Sequence, residues 1–171
     1  MARRRISLRE FQAGLAERLT SARRGETARA LLGIVSGRDH CLLDLSDSGE
    51  VLPLPPLTVV PLTKSWFAGV ANVRGALYSV VDFSAFRGGE TTPRNSEARL
   101  LLVGARHGIN SALLVNRTLG LKSLADMKEQ AVAENAPVWA GANYVDGSGQ
   151  SWIRLRLKPL LEDPEFLNVA G

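Results

Sequence analysis

The stretch from Lys64 to Phe86, KSWFAGVANVRGALYSVVDFSAF, constrains the chain more than any other. It reads as two short strands joined tightly at Arg74-Gly75. Along the first arm Phe67, Gly69, Ala71 and Val73 share one face and Ala68, Val70, Asn72 and Arg74 the other, because successive strand side chains alternate. Along the second arm Leu77, Val80, Val81 and Phe83 suit a half-buried pleat. Gly75 has no Cβ, so it can take the positive φ of a turn or admit a neighbouring backbone. Asn72 and Arg74 are the polar exceptions, together on one face beside the turn. A guanidinium there offers five donors in a rigid fork, suited to a carboxylate or carbonyl pair on another surface. Equally, Arg74 can pair with Asp82 and pin the hairpin. Both readings stand at this point.

The remaining pattern is also strand-like. Leu31–Val35 and Cys41–Leu45 flank a turn at Ser36-Gly37-Arg38-Asp39. Val51–Leu57 holds three prolines, which cannot donate to a ladder, so it reads as an extended connection or edge. Its P-x-x-P spacing also fits a polyproline II ligand. Thr58–Leu62 is a weak strand. Arg87–Glu97, RGGETTPRNSE, is polar and broken by glycine and proline, and reads as a mobile, exposed linker. Strands follow at Arg99–Ala105, Ile109–Val115, Trp139–Val145 and Ser151–Leu157, the last pair across Asp146-Gly147-Ser148-Gly149. In the final strand Ile153, Leu155 and Leu157 face inward, and Trp152, Arg154 and Arg156 outward. The fold class is mainly all-β in two lobes, with a helix at each end. Residues 1–27 form a basic helical extension. Lobe one spans about 28–90, the linker 87–97, lobe two about 98–160, and a short C-terminal helix about 158–168.

Ser7–Ala22 has capping-box spacing at Ser7 and Glu10, and an apolar stripe at Leu8, Phe11, Leu15, Leu19 and Ala22. It either packs on its own body or docks on a partner. Residues 1–29 carry eight arginines against three glutamates, a net +5. The rest carries thirteen Lys/Arg against fourteen acids, a net −1. The overall +4 and pI of about 9.7 therefore belong to the arm, not the body. That weakens any nucleic-acid reading, which needs a basic face on the domain itself. The strongest segment for such a base-stacking β-barrel is Trp152-Ile153-Arg154-Leu155-Arg156.

One cysteine, Cys41, cannot form an internal disulfide, and nothing asks for an oxidising compartment. No run approaches a spanning helix, and Arg3-Arg4-Arg5 is followed by charged residues rather than an export signal's apolar core. These features read as cytoplasmic, without membrane insertion. His40 and His107 sit singly at turns, with no acid or cysteine at ligand spacing. No nucleophile elbow or phosphate loop is present. The expectation is no metal, no cofactor and no catalysis.

Gly69-Val70-Ala71-Asn72-Val73-Arg74-Gly75, followed by Val80-Val81-Asp82-Phe83, resembles the central signature of the CheW-like domain family, roughly G-V-x-N-x-R-G and then a strand ending in V-x-D. The resemblance covers about residues 28–160, and its specificity lies in that motif. Where the family often has a proline before the aspartate, this chain reads Tyr78-Ser79. The wording around Trp66 and Tyr78 is most similar to members that serve type IV pili and twitching motility. The resemblance implies two SH3-like five-stranded β-barrel lobes. It also implies a non-catalytic, chemotaxis-type adaptor between the cytoplasmic tip of a methyl-accepting chemoreceptor and the regulatory domain of a CheA-type histidine kinase. Such an adaptor is recruited to membrane-bound receptor arrays. Receptor contacts are expected at Asn72 and Arg74, with Gly75 and Val70 beside them. Kinase contacts are expected at Phe67, Val73, Leu57 and Trp152, although Trp152 also suits a covering role between lobes.

Overall fold

The computed structural model describes residues 30–103 and 108–171. The helix expected over Ser7–Ala22 lies outside the described residues. Strands β1 (Leu31–Ser36), β2 (Asp39–Asp44), β3 (Ser48–Pro53), β4 (Phe67–Val73) and β5 (Ala76–Asp82) come first, followed by one helical turn, α1 (Phe83–Phe86). Then come β6 (Arg99–Val103), β7 (Ser111–Val115), β8 (Arg117–Lys122), a 3-10 turn at Leu124–Asp126, and β9 (Lys128–Gln130). The chain closes with β10 (Ala140–Val145), β11 (Ser151–Leu155), α2 (Leu157–Glu162) and α3 (Pro164–Leu167). The single C-terminal helix expected over 158–168 is thus two. The break falls at Asp163-Pro164, where Asp163 caps α3 by accepting the Glu165 amide at 2.9 Å.

Two sheets form, of six strands in the order β8-β1-β2-β11-β10-β9 and of five in the order β3-β6-β7-β5-β4. Each contains one parallel pair, β11 with β2 and β5 with β7, among antiparallel neighbours. The sheets do not follow sequence order. The chain starts in the first with β1 and β2, builds the whole second sheet with β3 to β7, and returns to finish the first. Continuous lobes at 28–90 and 98–160 are therefore corrected to interleaved ones. The crossings are the short turn after Asp44 and the single residue Asn116, whose Oδ1 accepts the Gly37 amide at 2.8 Å. The segment 87–97 crosses nothing: it joins α1 to β6 within one sheet.

Strand periodicity divides the apolar residues among three clusters. On β6, Leu101 and Val103 face a shared core while Leu100 and Leu102 face a cluster private to the five-stranded sheet. On β7, Leu113 and Val115 take the shared side and Ala112 and Leu114 the private one. On β2 of the other sheet, Cys41 and Leu43 enter the shared core, and Leu42 joins Leu31, Tyr144 and Trp152 in a third cluster. Both faces of the central strands β1, β2, β6 and β7 are thus covered, which is why these strands read as nearly unbroken apolar runs. Leu157, Leu160, Leu161 and Phe166 from α2 and α3 cover the shared core.

Trp152 corrects an expectation. It does lie opposite Ile153 and Leu155, as alternation requires, but its face is the inside of a curled sheet rather than solvent, and it is 3% exposed. Its Nε1 donates to Asp146 Oδ2 at 2.9 Å. Asp146 Oδ1 accepts from Ser148 N, Ser148 Oγ and Gln150 N. These donors, the Ser148 hydroxyl foremost, hold the Asp146 carboxyl well below the usual carboxylate range.

Arg87 ties the sheets together. Its guanidinium pairs with Asp39 at the β1–β2 turn and lies over the Phe83 and Trp139 rings at 5.3 and 5.8 Å. Cys41 lies beneath, fully buried, and desolvation pushes its thiol up to about 12, against a smaller opposing pull from Arg87. The reactive thiolate is therefore absent at neutral pH. Native protein should leave a maleimide probe unreacted at pH 7, with one equivalent taken up on denaturation; ready labelling of the folded chain would contradict this packing.

Candidate functional site

The β4–β5 hairpin closes through a two-residue turn, Val73 pairing with Ala76. Arg74 and Gly75 both have positive φ, +50° and +87°, as the favoured hairpin twist requires. Asparagine or glycine is the usual residue at the first of these positions. An arginine there accepts left-handed strain, which for an L-residue costs on the order of 1 kcal/mol. Asn72 stabilises the bend, its Oδ1 accepting the Gly75 amide at 2.9 Å.

Asn72 is exposed, and its cross-strand neighbour Leu77 is 63% exposed, not half-buried as its apolar character suggested. The Arg74 side chain is 71% exposed and pairs with Glu50 on β3, Nη1 lying 3.3 Å from Oε1 and Nη2 meeting Oε2. This hydrogen bond and charge raise the guanidinium pKa above its already high value. The pair joins the β4–β5 turn to β3, the strand at the opposite edge of the sheet, so it also marks the sheet's curl. Asp82 is not the partner of Arg74. It is buried and accepts the Thr92 amide and hydroxyl, each at 2.7 Å, and the Ala85 amide at 3.3 Å. The aspartate of the V-x-D element thus caps α1 and anchors segment 87–97. With Thr92 buried, that segment is not simply an exposed linker.

Gly69 has φ +135°, and a Cβ placed on it would overlap the Thr58 carbonyl oxygen. Thr58 and Val70 exchange both backbone hydrogen bonds at 2.9 Å. The expected strand over Thr58–Leu62 is therefore one bridge, in which the chain crosses the outer edge of β4 as a strap. The strap needs a residue without a side chain opposite Thr58, which accounts for the first glycine of the motif.

Among the other expected contact residues, Val70 is half-buried and occupied through its backbone by the strap. Gly75 is exposed, with open space where a side chain would stand. Phe67 packs on the shared core, and Leu57 and Val73 on the private cluster, all three half-buried. Trp152 is interior. The structure thus brings Asn72, Arg74 and Gly75 together at one exposed tip and leaves Trp152 apart from it. Sequence reasoning missed the strap's own surface, where Val59 is 70% and Leu62 89% exposed. Leu62 also has φ +58°, an uncommon state for a leucine that no residue pattern announces. Among the described residues no cluster of His, Cys, Asp or Glu has the makings of a metal site, and no helix is long and apolar enough to cross a membrane.

Residues 30–165 match the family described as "CheW-like domain". The chain is 29% identical over 141 residues to "Protein PilI" of Pseudomonas aeruginosa, with 81% of this chain and 79% of that one aligned. In structure it resembles the "scaffolding protein TtCheW" from Thermoanaerobacter tengcongensis, with a TM-score of 0.66 at 18% identity over 80% of this chain and 94% of that chain. At that identity the likeness speaks for the fold.

Proposed function

Because the chain belongs to the CheW-like domain family, we propose that it is a non-catalytic adaptor coupling the cytoplasmic tip of a chemoreceptor to the regulatory domain of a CheA-type histidine kinase. It works in the cytoplasm, within membrane-bound receptor arrays. The similarity to PilI, and the residues around Trp66 and Tyr78, support a place in the system that controls type IV pili and twitching motility. The observation that carries the reading is the hairpin tip. An arginine occupies a strained turn position where asparagine or glycine is easier, and its guanidinium stays exposed. Strain kept at an exposed residue points to a contact made elsewhere. We assign the receptor side to Asn72, Arg74, Gly75 and the adjacent Val70. The kinase side falls to the half-buried apolar edge at Leu57, Phe67 and Val73; Trp152, interior to the other sheet, is not part of it. Individually modest interfaces of this kind gain strength when many act together in an array.

The Arg74→Asp variant tests the assignment. Exposed ion pairs contribute little to stability, so its Tm should stay close to that of the parent. Receptor binding should weaken by roughly tenfold or more, as for truncation of an interface arginine, while the CheA-type kinase is still recovered in a pull-down. A variant that unfolds, or that retains the receptor at full strength, would show Arg74 to be a pin for Glu50 and nothing more.

A further inference from the structure

A groove of about 650 Å³ opens where the described chain begins. Ala30 lies in its wall, with Leu121, Lys122, Asp126, Met127 and Asp146. Leu121 is 65% exposed at its edge and Met127 half-buried. The Lys122 ammonium lies over the Trp152 ring at 5.6 Å, and against its single positive charge the lining sets the two carboxylates of Asp126 and Asp146. We propose that this groove is the docking site for the chain's own N-terminal arm, with the Leu8, Phe11, Leu15, Leu19 and Ala22 stripe laid against Leu121 and Met127.

Three observations select that occupant. The chain leaves the groove itself, at Ala30. Residues 23–29 reach at most ~23 Å at full extension, enough to return a segment to the point of departure but not to carry it freely around the body. Charge is complementary: the arm carries a net +5, the rest of the chain a net −1, and the groove lining holds two carboxylates against one ammonium. Arg18, three residues from Leu15 and four from Ala22, sits on the flank of the apolar stripe, within side-chain reach of whatever the stripe covers. Docking covers an exposed leucine next to the third cluster, and it keeps the basic arm from acting as a free polycation.

The buried Cys41 allows a direct test in the full chain, because an introduced cysteine is then the single reactive thiol. A nitroxide on Gln12→Cys should bleach the amide signals of Ser123, Gly147 and Ser148 in dilute protein, while those of Gly88 and Gly89, beside Ser36 and Gly37 at the opposite end of β1, keep their intensity. Adding Leu15→Asp and Leu19→Asp to the arm, outside the two-sheet body, should restore the lost signals, and high salt should restore them in part. Unchanged signals around the groove would overturn the proposal. So would bleaching seen in a mixture of isotope-labelled and spin-labelled chains, since the arm would then occupy a second copy.

Discussion

Replacing Gly69 by valine should destabilise the protein by about 4 kcal/mol, lowering Tm by about 10 °C or more for a chain of this size. Two penalties combine. A φ of +135° belongs to a region that is essentially glycine's alone. In addition, the new Cβ would collide with the Thr58 carbonyl, which is backbone and already fixed by two hydrogen bonds to Val70. Relief would require the strap to leave the edge of β4, exposing the Val70 amide and carbonyl and part of the cluster beneath Leu57. Gly75→Asn provides the contrast. That glycine also has positive φ, but open space surrounds it and asparagine tolerates such angles, so the cost should be under about 1 kcal/mol. Equal losses from the two variants, read by thermal denaturation, would contradict the strap geometry.

The second large effect is expected at Asp82. Alanine there removes the acceptor of three hydrogen bonds and strands the Thr92 amide and hydroxyl in a dry site. Each unsatisfied buried group costs about 1–3 kcal/mol, so a loss of about 3 kcal/mol or more should appear in urea unfolding. Asparagine should rescue only part of it, because keeping its oxygen for the Thr92 hydroxyl and the Ala85 amide sets its NH₂ against the Thr92 amide that Oδ2 now accepts. The loss should be accompanied by faster amide exchange at Thr92 and Ala85, the two residues whose N–H groups are released. An Asp82→Ala variant of parental stability would mean that the anchoring of 87–97 contributes nothing.

The mainly-β class, most strand positions and the hairpin at Arg74-Gly75 were legible because period-two patterning and turn chemistry act locally. What stayed hidden is non-local. Alternation correctly set Trp152 opposite Ile153, but alternation cannot tell solvent from the interior of a curled sheet. Arg74 and Asp82 are neighbours in sequence and of opposite charge, yet the actual partner, Glu50, comes from the far edge of the sheet. The interleaving of strands between sheets leaves no local mark either, since the crossing at Asn116 is one ordinary residue. At the candidate site the motif supplied Asn72, Arg74 and Gly75. The strap that demands Gly69, and the surface at Val59 and Leu62, depend on a backbone crossing that no spacing encodes.

Interleaving also governs how the molecule comes into being. A nascent chain that has emerged as far as Val115 has everything needed for the five-stranded sheet, but the two strands that preceded it still wait for partners. β2 cannot acquire its second neighbour until β11 leaves the ribosome, some forty residues later. The shared core stays open until the last two helices arrive to roof it. Acquisition of structure should therefore be late and concerted, with non-local pairing setting its pace. A fragment severed between the crossings is left with an unfinished edge rather than a smaller working module.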